Sequence, residues 1–134
     1  MQQIHYKELQ DTIHRLNSDN VFKDKDVVLF GFCNATEEAF KMLCDVGVSV
    51  KAILDNNPNK QGQIYKGVPI SAPEEIMHIG EDSMVCIAAR AYTSMKEQLI
   101  SMGFDGEIIK LVDYDPYSEP SLDATVVSQK RERL

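Results

Sequence analysis

Gly31 ends the apolar run Val27-Val28-Leu29-Phe30 and precedes a helical pattern from Ala35 to Val46. A second apolar run, Val48 to Leu54, ends on Asp55. Strand, tight turn, helix, strand and acid form, in that order, a unit suited to a nucleotide at the carboxyl end of a parallel sheet. The full fingerprint is Gly-x-Gly-x-x-Gly; this chain has Gly31-Phe32-Cys33-Asn34-Ala35-Thr36. Cys33 stands where a glycine lets a pyrophosphate approach the backbone, and Thr36 where one permits close helix-to-strand packing. Asp55 is placed to accept hydrogen bonds from ribose hydroxyls. Its alternative reading is a turn residue in Asp55-Asn56-Asn57-Pro58. Arg90 follows the apolar stretch Met84 to Ala89 and should reach the same rim, where a guanidinium meets a phosphate or carboxylate bidentately. Ala88 and Ala89 are small and leave room for a ligand against the backbone.

Other patterns compete for attention. Tyr92 and Lys96 have the Tyr-x-x-x-Lys spacing of short-chain dehydrogenases, where the ammonium assists proton transfer by the phenol. Ser94 looks like a helix cap, which would leave Tyr92 before the helix and the pair off a shared face. Asp113-Tyr114-Asp115 has a metal-binding Asp-x-Asp outline but is expected to be the turn out of the last strand. Asn34-Ala35-Thr36 is formally a glycosylation sequon without use in the cytoplasm. Asn34 and Glu37 should cap their helix, and Glu37 and Glu38 complement its dipole, in competition with any phosphate there.

Positioning these groups calls for an α/β fold. Apolar runs at Val27–Phe30, Val48–Leu54, Val68–Ile70, Ser83–Ala89 and Glu107–Val112 alternate with helical patterns. Asn34, Ser71 and Ser94 are each followed three places on by Glu, and Gly47, Gly80 and Gly103 stand where those helices should stop. The expectation is a Rossmann-like three-layer sandwich: a parallel five-stranded sheet, order 3-2-1-4-5, with helices on both faces. Residues 1–22 form an amphipathic N-terminal helix with Tyr6, Leu9, Ile13 and Leu16 on one stripe. Residues 23–112 form the nucleotide-binding domain, and 113–134 an extended or disordered tail. His5 and His14 are expected at the surface, and Cys44 and Cys86 in the core.

The 134 residues include 14 Lys and Arg against 21 Asp and Glu, a net charge of -7. That balance argues against nucleic acid, whose phosphates require clustered cations. It leaves room for a single nucleotide, which backbone amides can hold. No apolar run reaches the roughly 20 residues of a membrane span. No signal-peptide pattern opens the chain, so a cytoplasmic location is expected. Three separated cysteines give no metal-ligand spacing, and no metal is expected. Homo-oligomerisation is expected through the N-terminal helix or the C-terminal tail.

Several segments form a recurring series. They are Phe30-Gly31-Phe32-Cys33-Asn34, Leu54-Asp55-Asn56-Asn57-Pro58 with Lys60 and Gly62, Gly67-Val68-Pro69-Ile70 with Pro73-Glu74-Glu75, and Ile87-Ala88-Ala89 followed by Lys96-Glu97-Gln98-Leu99 and Gly103-Phe104. The series resembles the Rossmann-like, CoA- or NAD-binding-like front domain of bacterial surface-polysaccharide nucleotide-sugar epimerase/dehydratases and related sugar-modifying enzymes. By that resemblance Gly31, Phe32, Cys33 and Asn34 face phosphates, Asp55 and Asn56 the ribose or sugar, and Ala89 with Arg90 the far side of the ligand. The ligand implied is a nucleotide-sugar or NAD(P). The function implied is a binding module in polysaccharide biosynthesis, beside a separately encoded sugar-modifying enzyme. Alternatives are a small NAD(P)-dependent sugar-nucleotide oxidoreductase or epimerase using Tyr92 and Lys96, and an oligomerising domain with an empty site. A phospho-acceptor receiver is the least suited, since Gly31-Phe32-Cys33 fills the place of its acidic pair.

Overall fold

Val27, Val28, Leu29 and Phe30 are all fully buried, because their strand lies mid-sheet with a parallel neighbour on each side. A strand covered on both faces needs a continuous apolar run rather than alternation. The computed structural model describes residues 1–114. Its strands are β1 (Asp26–Phe30), β2 (Val50–Leu54), β3 (Ile64–Tyr65), β4 (Val68–Ser71), β5 (Ser83–Ile87) and β6 (Glu107–Lys110). The helices are α1 (Gln3–Ser18), α2 (Asn34–Asp45) and α3 (Tyr92–Ser101), with a 3-10 segment at Pro73–His78.

The architecture is a Rossmann-like α/β sandwich with a mixed, mostly parallel sheet. The expected five strands in order 3-2-1-4-5 are corrected to six, in the order β3-β4-β2-β1-β5-β6. β3 pairs antiparallel with β4, while the other pairings are parallel. The hairpin turns through Lys66 (φ 50) and Gly67 (φ 85), the double positive-φ geometry of a tight two-residue turn. Its signal is weak in the sequence because β3 has two residues and a lysine takes the place Asn or Asp usually fills.

Two core layers flank the sheet. α1 and α2 pack on one face through Leu9, Ile13, Ala39, Phe40 and Leu43, against Val27, Leu29, Ile53 and Cys86. The 3-10 segment and α3 cover the other face, with Ile76 and Leu99 against Val28, Phe30, Leu54 and Ile87. α2 ends with Gly47 N donating to Cys44 O at 3.0 Å and Val48 N to Leu43 O at 2.9 Å, which satisfies its last carbonyls. This closure also delays the second strand to Val50.

The N-terminal stripe is rotated from the expected one. His5, Leu9 and Ile13, spaced four apart, face inward with Thr12, while Tyr6 is 37% exposed. His5 is therefore buried rather than at the surface, whereas His14 is exposed. Cys86 is buried, but Cys44 is exposed, against expectation, because it lies on the outer side of α2. The expected tail lies outside the described residues from 115 onward. No helix among the described residues is long and apolar enough to cross a membrane.

Candidate functional site

Parallel strands β1, β2 and β5 deliver Gly31, Asp55 and Arg90 to one rim of the sheet. Gly31 has φ +92, and its amide donates to Leu54 O at 2.7 Å, continuing the ladder one residue past β1. A Cβ at Gly31 would stand 2.6 Å from Met95 Cε and 3.4 Å from Ala89 Cβ. Glycine is thus favoured by conformation, while the Met95 methyl, the far end of a flexible side chain, would have to shift for any Cβ. The Thr36 hydroxyl, buried under the turn, donates to the Gly31 carbonyl. Threonine in place of the third glycine therefore serves as a brace for the loop.

Asp55 is 8% exposed and faces the protein. Its Oδ2 accepts the Phe32 amide at 2.7 Å and its Oδ1 the Asn57 amide at 2.8 Å. Lys60 Nζ lies 4.0 Å from Oδ2 and donates to the Phe32 carbonyl at 2.8 Å. The Phe32 ring packs on Tyr65 at 5.0 Å and so turns away from the rim. Asn56 exchanges two side-chain hydrogen bonds with Gln98 of α3, at 2.9 and 2.7 Å.

Cys33 occupies the N-cap of α2 in extended backbone, and no side chain caps that helix. The expected cap by Asn34 and Glu37 is corrected. Asn34 is already helical, and its Oδ1 accepts from the Met1 nitrogen at 3.0 Å. The first-turn amides of α2 thereby have no side-chain acceptor among the described residues. Cys33 Sγ lies 3.5 Å from Thr36 Oγ1, and the residue is exposed.

A cleft of about 430 Å³ opens over this turn, lined by Cys33, Asn34 and Ala35 on one side and Ala89, Arg90 and Ala91 on the other. Met1, Gln2 and His5 of the N-terminal segment and Tyr114 after β6 close its remaining walls. The volume falls within the roughly 300–1,000 Å³ of small-molecule sites. A larger groove runs along the outer side of α1 and shares no residue with the turn. The Arg90 guanidinium lies 4.4 Å from the centre of the Tyr114 ring. Among the described residues it has no carboxylate partner. Tyr114 donates its hydroxyl to Ala88 O at 2.7 Å, and its ring meets His5 edge-on at 4.6 Å. Burial raises the Tyr114 pKa above its ordinary value of 10.0; Arg90 pulls it down, and Cys33 and Glu8 add to the rise. The phenol therefore stays neutral and holds its hydrogen bond.

Most predicted residues meet on this rim, but in two groups. Cys33, Asn34, Ala89 and Arg90 line the cleft, with Gly31 in the turn that leads to it, whereas Phe32, Asp55 and Asn56 belong to the braced side beside Lys60. His5, Tyr114 and Lys60 were not singled out for the site. The aromatic one residue past Asp113 was the available signal for Tyr114; the rotated stripe hid His5. Tyr92 is corrected from a pre-helical place to the first residue of α3, and Ser94 caps nothing but donates to Ala91 O at 3.2 Å. Lys96 Nζ and Lys110 Nζ lie 5.9 and 5.2 Å from the Tyr92 ring centre, over the ring rather than hydrogen-bonded to its hydroxyl. The 71–74 cap is likewise corrected: Ala72 precedes a 3-10 segment. Among the described residues no three His, Cys, Asp or Glu side chains gather as a metal-holding group.

The family model for the N-terminal domain of C2185-like proteins matches residues 23–110. The chain belongs to the C2185-like N-terminal family. None of the curated proteins matches it. Solved structures share the fold of this C2185-like domain. The crystal structure of RSP, a Rex-family repressor, is 12% identical with a TM-score of 0.52, covering 78% of this chain and 60% of that one. RSP in complex with β-NADH is 13% identical with a TM-score of 0.53, covering 78% and 61%. RSP with β-NAD+ and operator DNA is 14% identical with a TM-score of 0.48, covering 72% and 56%. The chain thus spans about three fifths of the length of those chains.

These findings overturn two expectations. The resemblance to polysaccharide epimerase/dehydratase front domains, and the nucleotide-sugar role drawn from it, give way to the C2185-like family and a fold shared with an NADH-bound repressor. The expectation of no nucleic acid is also withdrawn, since the fold is shared with a protein described as a Rex-family repressor. Net acidity of one domain does not decide the partners of an assembly.

Proposed function

We propose that this C2185-like domain is a binding module for an NAD(P)-type dinucleotide, held across the carboxyl rim of its sheet. The observation that carries the reading is the convergence of three features on one cleft. They are the Gly31 turn, the uncapped start of α2, and a guanidinium at Arg90 that lacks a carboxylate partner among the described residues. The pyrophosphate would sit on the first-turn amides of α2 and draw Arg90 toward it. The β-NADH complex of the fold neighbour RSP supports the ligand class. Asp55 acts in this reading as the brace that shapes the loop. Titration with NADH and NADPH, followed by nucleotide fluorescence and thermal shift, tests it. Saturable stabilisation by either is expected; no effect of either at millimolar concentration overturns it.

A second reading adds a reaction. Tyr92 and Lys96 share a face at the start of α3, so a phenol flanked by ammonium groups could deliver a proton as a nicotinamide delivers hydride to a carbonyl. Cofactor-dependent turnover lost in Tyr92→Phe would support it; turnover unchanged in that variant would remove it.

A further inference from the structure

The end of β2 presents a ligand with an ammonium rather than a carboxylate. Both Asp55 oxygens accept main-chain amides, Oδ2 from Phe32 at 2.7 Å and Oδ1 from Asn57 at 2.8 Å. Lys60 is the more exposed member of its pair with Asp55, 40% against 12%. An ammonium has three donors. One reaches the Phe32 carbonyl at 2.8 Å, the Asp55 carboxylate lies 4.0 Å away and the Phe32 ring centre 5.9 Å, and the side chain is still 40% exposed, so the ammonium is not enclosed by these partners. Asn56, next to Asp55 in the chain, is exposed and its side-chain amide pairs with Gln98.

Ribose hydroxyls need an acceptor for their protons, and the carboxylate at this position would supply it in an unphosphorylated dinucleotide site. Here that carboxylate is turned inward to hold the loop. A phosphate ester is the complementary case, since it is acceptor throughout and is drawn to an ammonium. The Asp55 charge is met by two amides as well as by Lys60, so Lys60 is not fully neutralised by it. We infer that the site prefers a dinucleotide phosphorylated on its adenosine ribose, the NADPH class, over the unphosphorylated form, with Lys60 as the specificity-determining residue. This inference rests on the dinucleotide reading above and deepens it.

The test is a fluorescence titration of the full chain with NADPH and with NADH at fixed ionic strength, with 2′-AMP and 5′-AMP as competitors. NADPH should bind about tenfold tighter, the scale of one charge-assisted hydrogen bond, and 2′-AMP should compete better than 5′-AMP. Lys60→Ala should remove that advantage, weakening NADPH by about tenfold more than NADH, and Lys60→Arg should keep it. The competitor comparison uses the unaltered chain and so does not depend on any variant folding. Equal or tighter binding of NADH, or equal weakening of both by Lys60→Ala, overturns the preference while the dinucleotide reading stands. Binding of neither dinucleotide overturns both.

Discussion

The main-chain amide of Phe32 donates to Asp55 Oδ2 across 2.7 Å, tying the turn after β1 to the end of β2. The acid that a Rossmann unit ordinarily offers to a ribose is here an internal strut. Asp55→Asn keeps the shape but replaces one acceptor oxygen with a donor facing an amide. The expected cost is about 2 kcal/mol of stability, read from urea unfolding. An unchanged midpoint would show that the strut is dispensable.

Arg90 supplies the guanidinium of the cleft and bears on Tyr114 by its face alone. Arg90→Ala should leave the circular dichroism spectrum intact and weaken dinucleotide binding about tenfold, with Arg90→Lys in between. Equal affinity in Arg90→Ala would remove this residue from the site.

Gly31 combines a φ of +92 with Met95 Cε 2.6 Å from where its Cβ would lie. Gly31→Ala should cost about 1–2 kcal/mol from backbone strain, with a further loss from displaced Met95. Adding Met95→Ala should return the steric part only. Thermal unfolding of the two variants separates the contributions, and full recovery in the double variant would contradict the backbone share.

Cys86 is buried, and burial, with a smaller push from Glu107, raises its pKa from 9.0 to about 12. The unfolded thiol ionises first, so the native state binds more protons in that window. Stability should be level below pH 9.0 and fall as pH rises toward about 12. The slope approaches roughly 1 kcal/mol per pH unit. Urea midpoints at pH 8 and 10.5 for the parent and Cys86→Ala check this. The same decline in both would assign it elsewhere.

The layers of this fold were legible wherever burial writes itself into composition. β1 and β5 read as continuous apolar runs because both of their faces are covered. Gly47 and Gly103 marked helix ends because reversal there demands them. β3 was not legible, since a two-residue strand has no period. The Asp55 strut was half hidden: the Asn57 amide two residues on is the turn contact that Asp55-Asn56-Asn57-Pro58 signals, but Phe32 becomes a neighbour of the carboxylate only once β1 and β2 pair. The same holds for Tyr114, whose hydroxyl finds Ala88 26 residues away. Gly31 and Arg90 could be foreseen because strand ends in a parallel sheet share a rim. The start of α3 could not, since Ser94 satisfies the cap pattern yet sits inside the first turn.

Two-dimensional amide NMR of the labelled chain, titrated with NADPH and NADH, tests the central claim most directly. The account predicts saturable shifts concentrated at Gly31–Ala35, Ala89–Ala91 and Tyr114, with smaller ones at Lys60. Shifts confined to the outer side of α1, or none at millimolar dinucleotide, would contradict it.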